Sequence, residues 1–234
     1  MLLLKIRTKN PEKSFQIKYE DVLDFSFGAI FWGFLCARVY YVIFNLPYYL
    51  SHPGEILAIW NGGIAIYGGI IGAVLYAIYF TRKRKIPFWD FADLLIPYLT
   101  LAQSIGRWGN FVNREAYGTE TTLPWKMGIF DSVTGQYTFV HPTFLYESLL
   151  TFGLFLVLLV LSKNRKYEGQ IFATYMIVYG IGRALIEGLR TDSLMFLGVR
   201  VSQFLGIFLA VTFFLLTKLA KYGKNKEKDE KKEG

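Results

Sequence analysis

Tyr179, Arg183 and Glu187 recur at every fourth position within an apolar stretch, a spacing that puts all three on one ridge of a helix. Ionisable groups inside so apolar a stretch carry a large desolvation penalty, so their default reading is functional, with a partner close by. The structural alternative is an Arg183–Glu187 pair that only neutralises itself, but apolar residues would fill that place at lower penalty. A second cluster lies in GRWGNFVNREAYG, residues 106–118, where Arg107, Asn110, Asn113, Arg114 and Glu115 stand among Trp108, Phe111 and Tyr117. Arginine presents a rigid fork of donors that matches phosphate oxygens, and it stays charged at any working pH. Arg107 and Arg183 together therefore suit a phospholipid headgroup, a reading that names a ligand class and no reaction.

Other reactive side chains are few. Glu147 falls just inside a helix that Pro142 is expected to open at its first position, where a carboxylate either complements the positive helix end or serves chemistry. His52 and His141 are the only histidines, and His141 is the better placed of the two to act as a base. Cys36, the single cysteine, lies mid-span and reads as a small buried apolar residue, since an apolar setting raises a thiol pKa.

The elements that must position these groups are membrane helices. Apolar residues make up 53% of the chain and aromatics 18%, and they come in blocks near the roughly 20 residues that cross a bilayer. Six spans are expected, at 23–44, 56–80, 87–105, 143–162, 170–189 and 201–217. Segments 1–22, 81–86, 163–169 and 218–234 hold 5, 4, 3 and 7 of the 26 Lys and Arg residues, which places them and both termini in the cytoplasm. Segment 106–142 is then extracytoplasmic, an irregular loop or cap too polar and Gly-rich to continue either flanking helix. The fold class is an all-α integral membrane protein, a six-helix transmembrane bundle forming a single domain over 1–234.

Small residues say how such helices would meet. Gly68 and Gly72 in NGGIAIYGGIIGA have the GxxxG spacing of close helix contacts, and Gly180, Ala184 and Gly188 form a seam about 100° around from the Tyr179 ridge. The net charge of +8 does not signal nucleic acid, because the Lys-rich tail from Lys218 follows a span directly and has almost no aromatic groups for base stacking. The start, MLLLKIRTKN, has too short an apolar run before Lys5 and Arg7 for a secretory signal.

The 106–118 segment resembles the signature of the bacterial prolipoprotein diacylglyceryl transferases. Further similar segments follow in family order: ARVYYVIF at 37–44, WNGGIAIYGG at 60–69, HPTFLYES at 141–148 and YGIGRALIEGLRTDSL at 179–194. The resemblance implies an enzyme of the bacterial inner membrane that moves the diacylglyceryl group of phosphatidylglycerol to the lipobox cysteine of a prolipoprotein signal peptide, releasing glycerol phosphate. It implies no metal and no soluble cofactor. By motif, Arg107, Asn110, Glu115 and Gly118 would bind the phospholipid, and Arg183, Glu187 and Tyr179 would form a catalytic site. Tyr67 stands where many members carry a histidine, so it joins His141 as a catalytic candidate for the base. A further membrane helix that family members usually carry ahead of residues 1–20 is expected to be absent. The alternatives are a small membrane transporter lined by Arg183, Glu187 and Tyr67, or an inactive membrane scaffold.

Overall fold

The computed structural model describes residues 17–131, 135–191, 195–196 and 198–233. Residues 1–16, which include the MLLLKIRTKN start, and residues 192–194 of the last motif lie outside the described residues. The described chain is mostly helical. In order it forms α1 (Tyr19–Phe44), α2 (Leu46–Ser51), α3 (Ile66–Arg84), α4 (Phe88–Asn113), β1 (Met127–Asp131), β2 (Gln136–Val140), α5 (Thr143–Lys163), α6 (Gln170–Glu187), β3 (Met195–Phe196), β4 (Val199–Arg200) and α7 (Val201–Glu233). Among the described residues, three helices are long and apolar enough to cross a membrane: Tyr19–Phe44, Thr143–Lys163 and the Val201–Leu219 part of α7.

Several boundaries differ from the sequence expectation, and four of the differences have a local reason. The expected span at 56–80 is helical only from Ile66, because Gly62 and Gly63 adopt φ of +83° and +75°, a left-handed conformation that no right-handed helix can pass through. The span expected to end at 105 runs on to Asn113, since the polar residues of its last turns pair with one another and with α5. Pro142 precedes the first helical residue instead of being it. The tail stays helical to Glu233, in a Lys/Glu-rich sequence of good helix formers. Segment 106–142 is also not wholly irregular, because β1 and β2 pair antiparallel within it from Met127↔Val140 to Asp131↔Gln136.

By packing, the chain divides into two compact units, residues 1–91 and 92–234. In the first, α1 and α3 touch backbone to backbone. A Cβ on Gly68 would lie 2.6 Å from the Cys36 carbonyl oxygen, and one on Gly72 would lie 2.7 Å from that of Trp32. The GxxxG spacing thus does here what it does in membrane helix pairs. Arg38, buried on α1, organises the chain that follows: its guanidinium donates to the carbonyls of Glu55 (2.6 Å), Ile56 (2.8 Å), Gly62 (2.9 Å) and Gly63 (2.7 Å). Its face lies over the Tyr49 ring, 5.2 Å from the centroid.

In the second unit, Ile96, Leu154, Leu158, Ile171 and Tyr175 form a buried apolar cluster joining α4, α5 and α6. Gly180 of α6 meets Gly206 of α7 so closely that a Cβ on the former would stand 2.4 Å from the latter's carbonyl oxygen. Ala184 continues that seam, its carbonyl accepting from Gln203 Nε2 at 3.0 Å, whereas Gly188 closes the helix and meets only Leu185 of its own turn. At the start of α6 the buried Asp93 carboxylate accepts from the Gly169 and Phe172 backbone N–H groups at 2.9 and 2.8 Å and pairs with Arg165 at 3.2 Å. A carboxylate from α4 thereby serves as the cap that the local sequence of α6 lacks.

Candidate active site

The last turns of α4 build the first part of the site. Arg107 and Asn110 are one turn apart, and Arg107 Nη1 donates to the Asn110 side-chain oxygen at 3.3 Å. Arg114 then takes φ of +53°, which reverses the chain, and the Glu115 N–H returns to the Asn110 carbonyl at 3.0 Å. That reversal carries the Glu115 carboxylate back onto the helix end, where it accepts from the amides of Asn110 (3.0 Å) and Asn113 (3.1 Å).

From α5 comes the residue that joins the two sequence clusters. Glu147 sits one turn into the helix with its side chain 3% exposed, and Arg107 Nη2 reaches its Oε1 at 2.7 Å. Its other oxygen, Oε2, is 2.7 Å from Arg183 Nη1 on α6, and Tyr179 donates its hydroxyl proton to Oε1 at 3.0 Å. Arg183 Nη2 in turn stands 2.6 Å from Glu187 Oε2, close enough for an ion pair although the angle is poor for a hydrogen bond. Arg200 donates to the Glu187 carbonyl, and Arg190 Nε is 3.9 Å from its carboxylate. An unbroken polar chain therefore runs from Glu115 through Asn110, Arg107, Glu147 and Arg183 to Glu187, across three helices.

Supporting bonds hold this chain at fixed spacing. Ser104, one turn before Arg107, donates its Oγ to the carbonyl of Ser148, the residue after Glu147, at 2.9 Å, and Ser148 Oγ donates to the Ser104 carbonyl at 3.0 Å, with Trp108 Nε1 3.2 Å from Ser148 Oγ. Tyr179 stacks on Tyr175 at 5.3 Å, and the Gln103 amide donates to the Tyr175 hydroxyl at 2.8 Å. The Arg107 and Arg183 side chains are 26% and 14% exposed, while the Glu147 and Glu187 carboxylates are closed off and Glu115 is open at the end of the polar chain. Around Glu147 and Glu187, what a ligand can reach is the pair of guanidiniums.

Gly118 is fixed by close approach. Its N–H donates to the His141 carbonyl at 2.9 Å, and a Cβ there would lie 2.7 Å from His141 Cβ and 3.0 Å from the Leu189 oxygen. His141 Nδ1 is 3.1 Å from the hydroxyl of Tyr146, the residue before Glu147, and Trp125 Nε1 also meets that hydroxyl at 2.9 Å. Tyr67 is the second residue of α3 and belongs to the first unit. The expected Arg107, Asn110 and Glu115 set and the expected Tyr179, Arg183 and Glu187 set are thus one assembly, and Glu147 is the residue that sequence reasoning left undecided. Its signal was present: a carboxylate within a membrane-length apolar helix.

A largely helical, apolar chain that buries two carboxylates against two partly open guanidiniums defines a membrane-type helical protein. The model of the prolipoprotein diacylglyceryl transferase family matches residues 1–218. The chain is 49% identical over 191 residues to the phosphatidylglycerol–prolipoprotein diacylglyceryl transferase of Clostridioides difficile, covering 82% of this chain and 75% of that one. Identity is 46% over 216 residues to the enzyme of the same name from Listeria monocytogenes (90% and 77% covered), and 48% over 201 residues to that of Finegoldia magna (86% and 79%). The chain belongs to the prolipoprotein diacylglyceryl transferase family.

Proposed function

We propose that this chain transfers the diacylglyceryl group of phosphatidylglycerol to the lipobox cysteine thiol of prolipoproteins and releases glycerol phosphate. The convergence of Arg107 and Arg183, from separate helices, on one buried carboxylate carries this reading. In the reaction the cysteine sulfur, as thiolate, attacks the glyceryl carbon, and the carbon–oxygen bond to phosphate breaks with its electron pair on the departing oxygen. Negative charge on the phosphate increases as that bond breaks, and donors already aimed at it stabilise the transition state more than the ground state.

Arg107 binds the phosphate, oriented by Asn110, whose amide Glu115 holds. Arg183 stabilises the leaving group, with Glu187 and Tyr179 fixing its position. Gly118 shapes the turn beside them. Tyr67 and His141 enter by their places in the motifs. The protein is read as a single transmembrane domain of the bacterial inner membrane with six spans and both termini in the cytoplasm, on the distribution of Lys and Arg.

The test is purified protein with phosphatidylglycerol and a lipobox peptide, followed by mass spectrometry for the diacylglyceryl-peptide. Product from the intact chain, lost in Arg107→Ala and Arg183→Ala, supports the reading. Absence of product from the intact chain favours a transporter or an inactive scaffold, and turnover that persists in both variants refutes the site.

A further inference from the structure

Resting on that reading, we propose that Glu147 is an internal stand-in for the lipid phosphate and, once displaced by it, the acceptor of the cysteine thiol proton. The geometry supports the first half directly. Glu147 spreads one negative charge over two oxygens and gives one to Arg107 and the other to Arg183, each at 2.7 Å. A phosphodiester likewise presents two non-bridging oxygens sharing one charge, so the guanidiniums that grip Glu147 already stand where they would grip the lipid.

The second half follows from what displacement does to the carboxylate. The Glu147 side chain is 3% exposed, and the two cations offset the desolvation penalty of burying it. A phosphodiester that takes over both arginines leaves that carboxylate closed off with the Tyr179 hydroxyl at 3.0 Å as its remaining bond, so its two oxygens are free to accept a proton from the thiol. The charged and titratable groups that face it are Arg107 from α4 and Tyr179 and Arg183 from α6, with Glu187 and Arg190 one link further. The incoming thiol supplies the proton: S–H breaks, the proton goes to Glu147, the S–C bond forms and the C–O bond to phosphate breaks. Glu147 then returns the proton to the departing glycerol phosphate and closes again on its arginines. Base activation thereby waits for the lipid, which keeps the thiol protonated until there is something to attack.

Steady-state kinetics of Glu147→Gln in phosphatidylglycerol nanodiscs, with a lipobox peptide and a range of pH, tests this. Expected is a fall of about 10²–10⁴-fold in kcat at neutral pH, with KM for phosphatidylglycerol unchanged or lower because the competing charge is gone. The kcat of the variant should then climb about tenfold per pH unit toward a free thiol's pKa of about 8.5, as solvent takes over deprotonation. The wild type and Glu147→Asp, which keep a carboxylate, should lack that climb, and Glu147→Asp keeps the inference testable should Glu147→Gln not fold. A loss in Glu147→Gln that is equal at every pH, or a raised KM with unchanged kcat, would make Glu147 a spacer and overturn the inference alone. So would a Tyr67→Phe variant that reproduces the pH-dependent loss while Glu147→Gln does not. An intact chain that forms no product overturns the transferase reading and this inference together.

Discussion

Arg107 and Glu147 meet at 2.7 Å although they belong to different helices, α4 and α5, and to motifs with no sequence between them that announces the contact. This one ion pair turns two separate polar clusters into a single site. It also sets the register between α4 and α5, alongside the reciprocal Ser104 and Ser148 bonds.

Removing either guanidinium should cost more than one hydrogen bond. Arg107→Ala and Arg183→Ala are each expected to lower kcat for diacylglyceryl transfer by about 10²–10³-fold, the range for loss of one preorganised donor to a developing anion. Lysine at either position should restore only part, since an ammonium cannot hold two oxygens through a planar fork. Product mass per unit time is the readout, and a fully active Arg183→Lys would show that the fork geometry is not used.

Gly118→Ala should destabilise the protein and lower transfer, because its Cβ would fall 2.7 Å from His141 Cβ and 3.0 Å from a backbone oxygen of Leu189. Overpacking of this kind costs about 1–3 kcal/mol. Gly153→Ala in α5 is the control: no atom lies within 4 Å of the added carbon, and helix propensity favours alanine by about 0.8–1.0 kcal/mol. Thermal unfolding in detergent should move in opposite directions for the two, and a parallel shift would contradict the packing argument.

Asp93 holds the start of α6 with its side chain 0% exposed, through two backbone N–H groups and Arg165. Asp93→Asn replaces one acceptor oxygen with a donor facing those N–H groups, and breaking a buried pair on one side costs about 3–5 kcal/mol. A lowered melting temperature is expected, together with a KM for phosphatidylglycerol unchanged in the fraction that remains folded. A stable variant with altered KM would instead place Asp93 in lipid binding.

Arg38→Ala should free the stretch from Glu55 to Gly63, whose four carbonyls lose their shared donor. Hydrogen exchange is the direct measure: amides of residues 55–66 should lose protection while those of the rest of α3 keep it. Protection lost evenly along α3 would show that Arg38 supports the helix pair and not the segment before it.

The aromatic and apolar blocks, the Lys and Arg distribution and the fourfold spacing of Tyr179, Arg183 and Glu187 were legible because each is a one-dimensional pattern tied to a helix period or a bilayer thickness. Gly68, Gly72 and Gly180 were legible for a related reason, since small residues at helical spacing allow one kind of close contact wherever it forms. Helix ends were harder to read: Gly62 and Gly63 stop α3 through their backbone angles, while Gly106 and Gly109 lie within α4, and the residue type alone does not separate these cases.

The sequence by itself determined a helical, membrane-type chain, its family, and the two polar clusters around Arg107 and Arg183. Only the tertiary structure decided that Glu147 joins them and that His141 bonds Tyr146 instead. The reason is physical. A carboxylate near a helix start looks the same along the chain whether it faces the helix dipole or two guanidiniums, and the choice rests on side chains that α4 and α6 bring up from elsewhere.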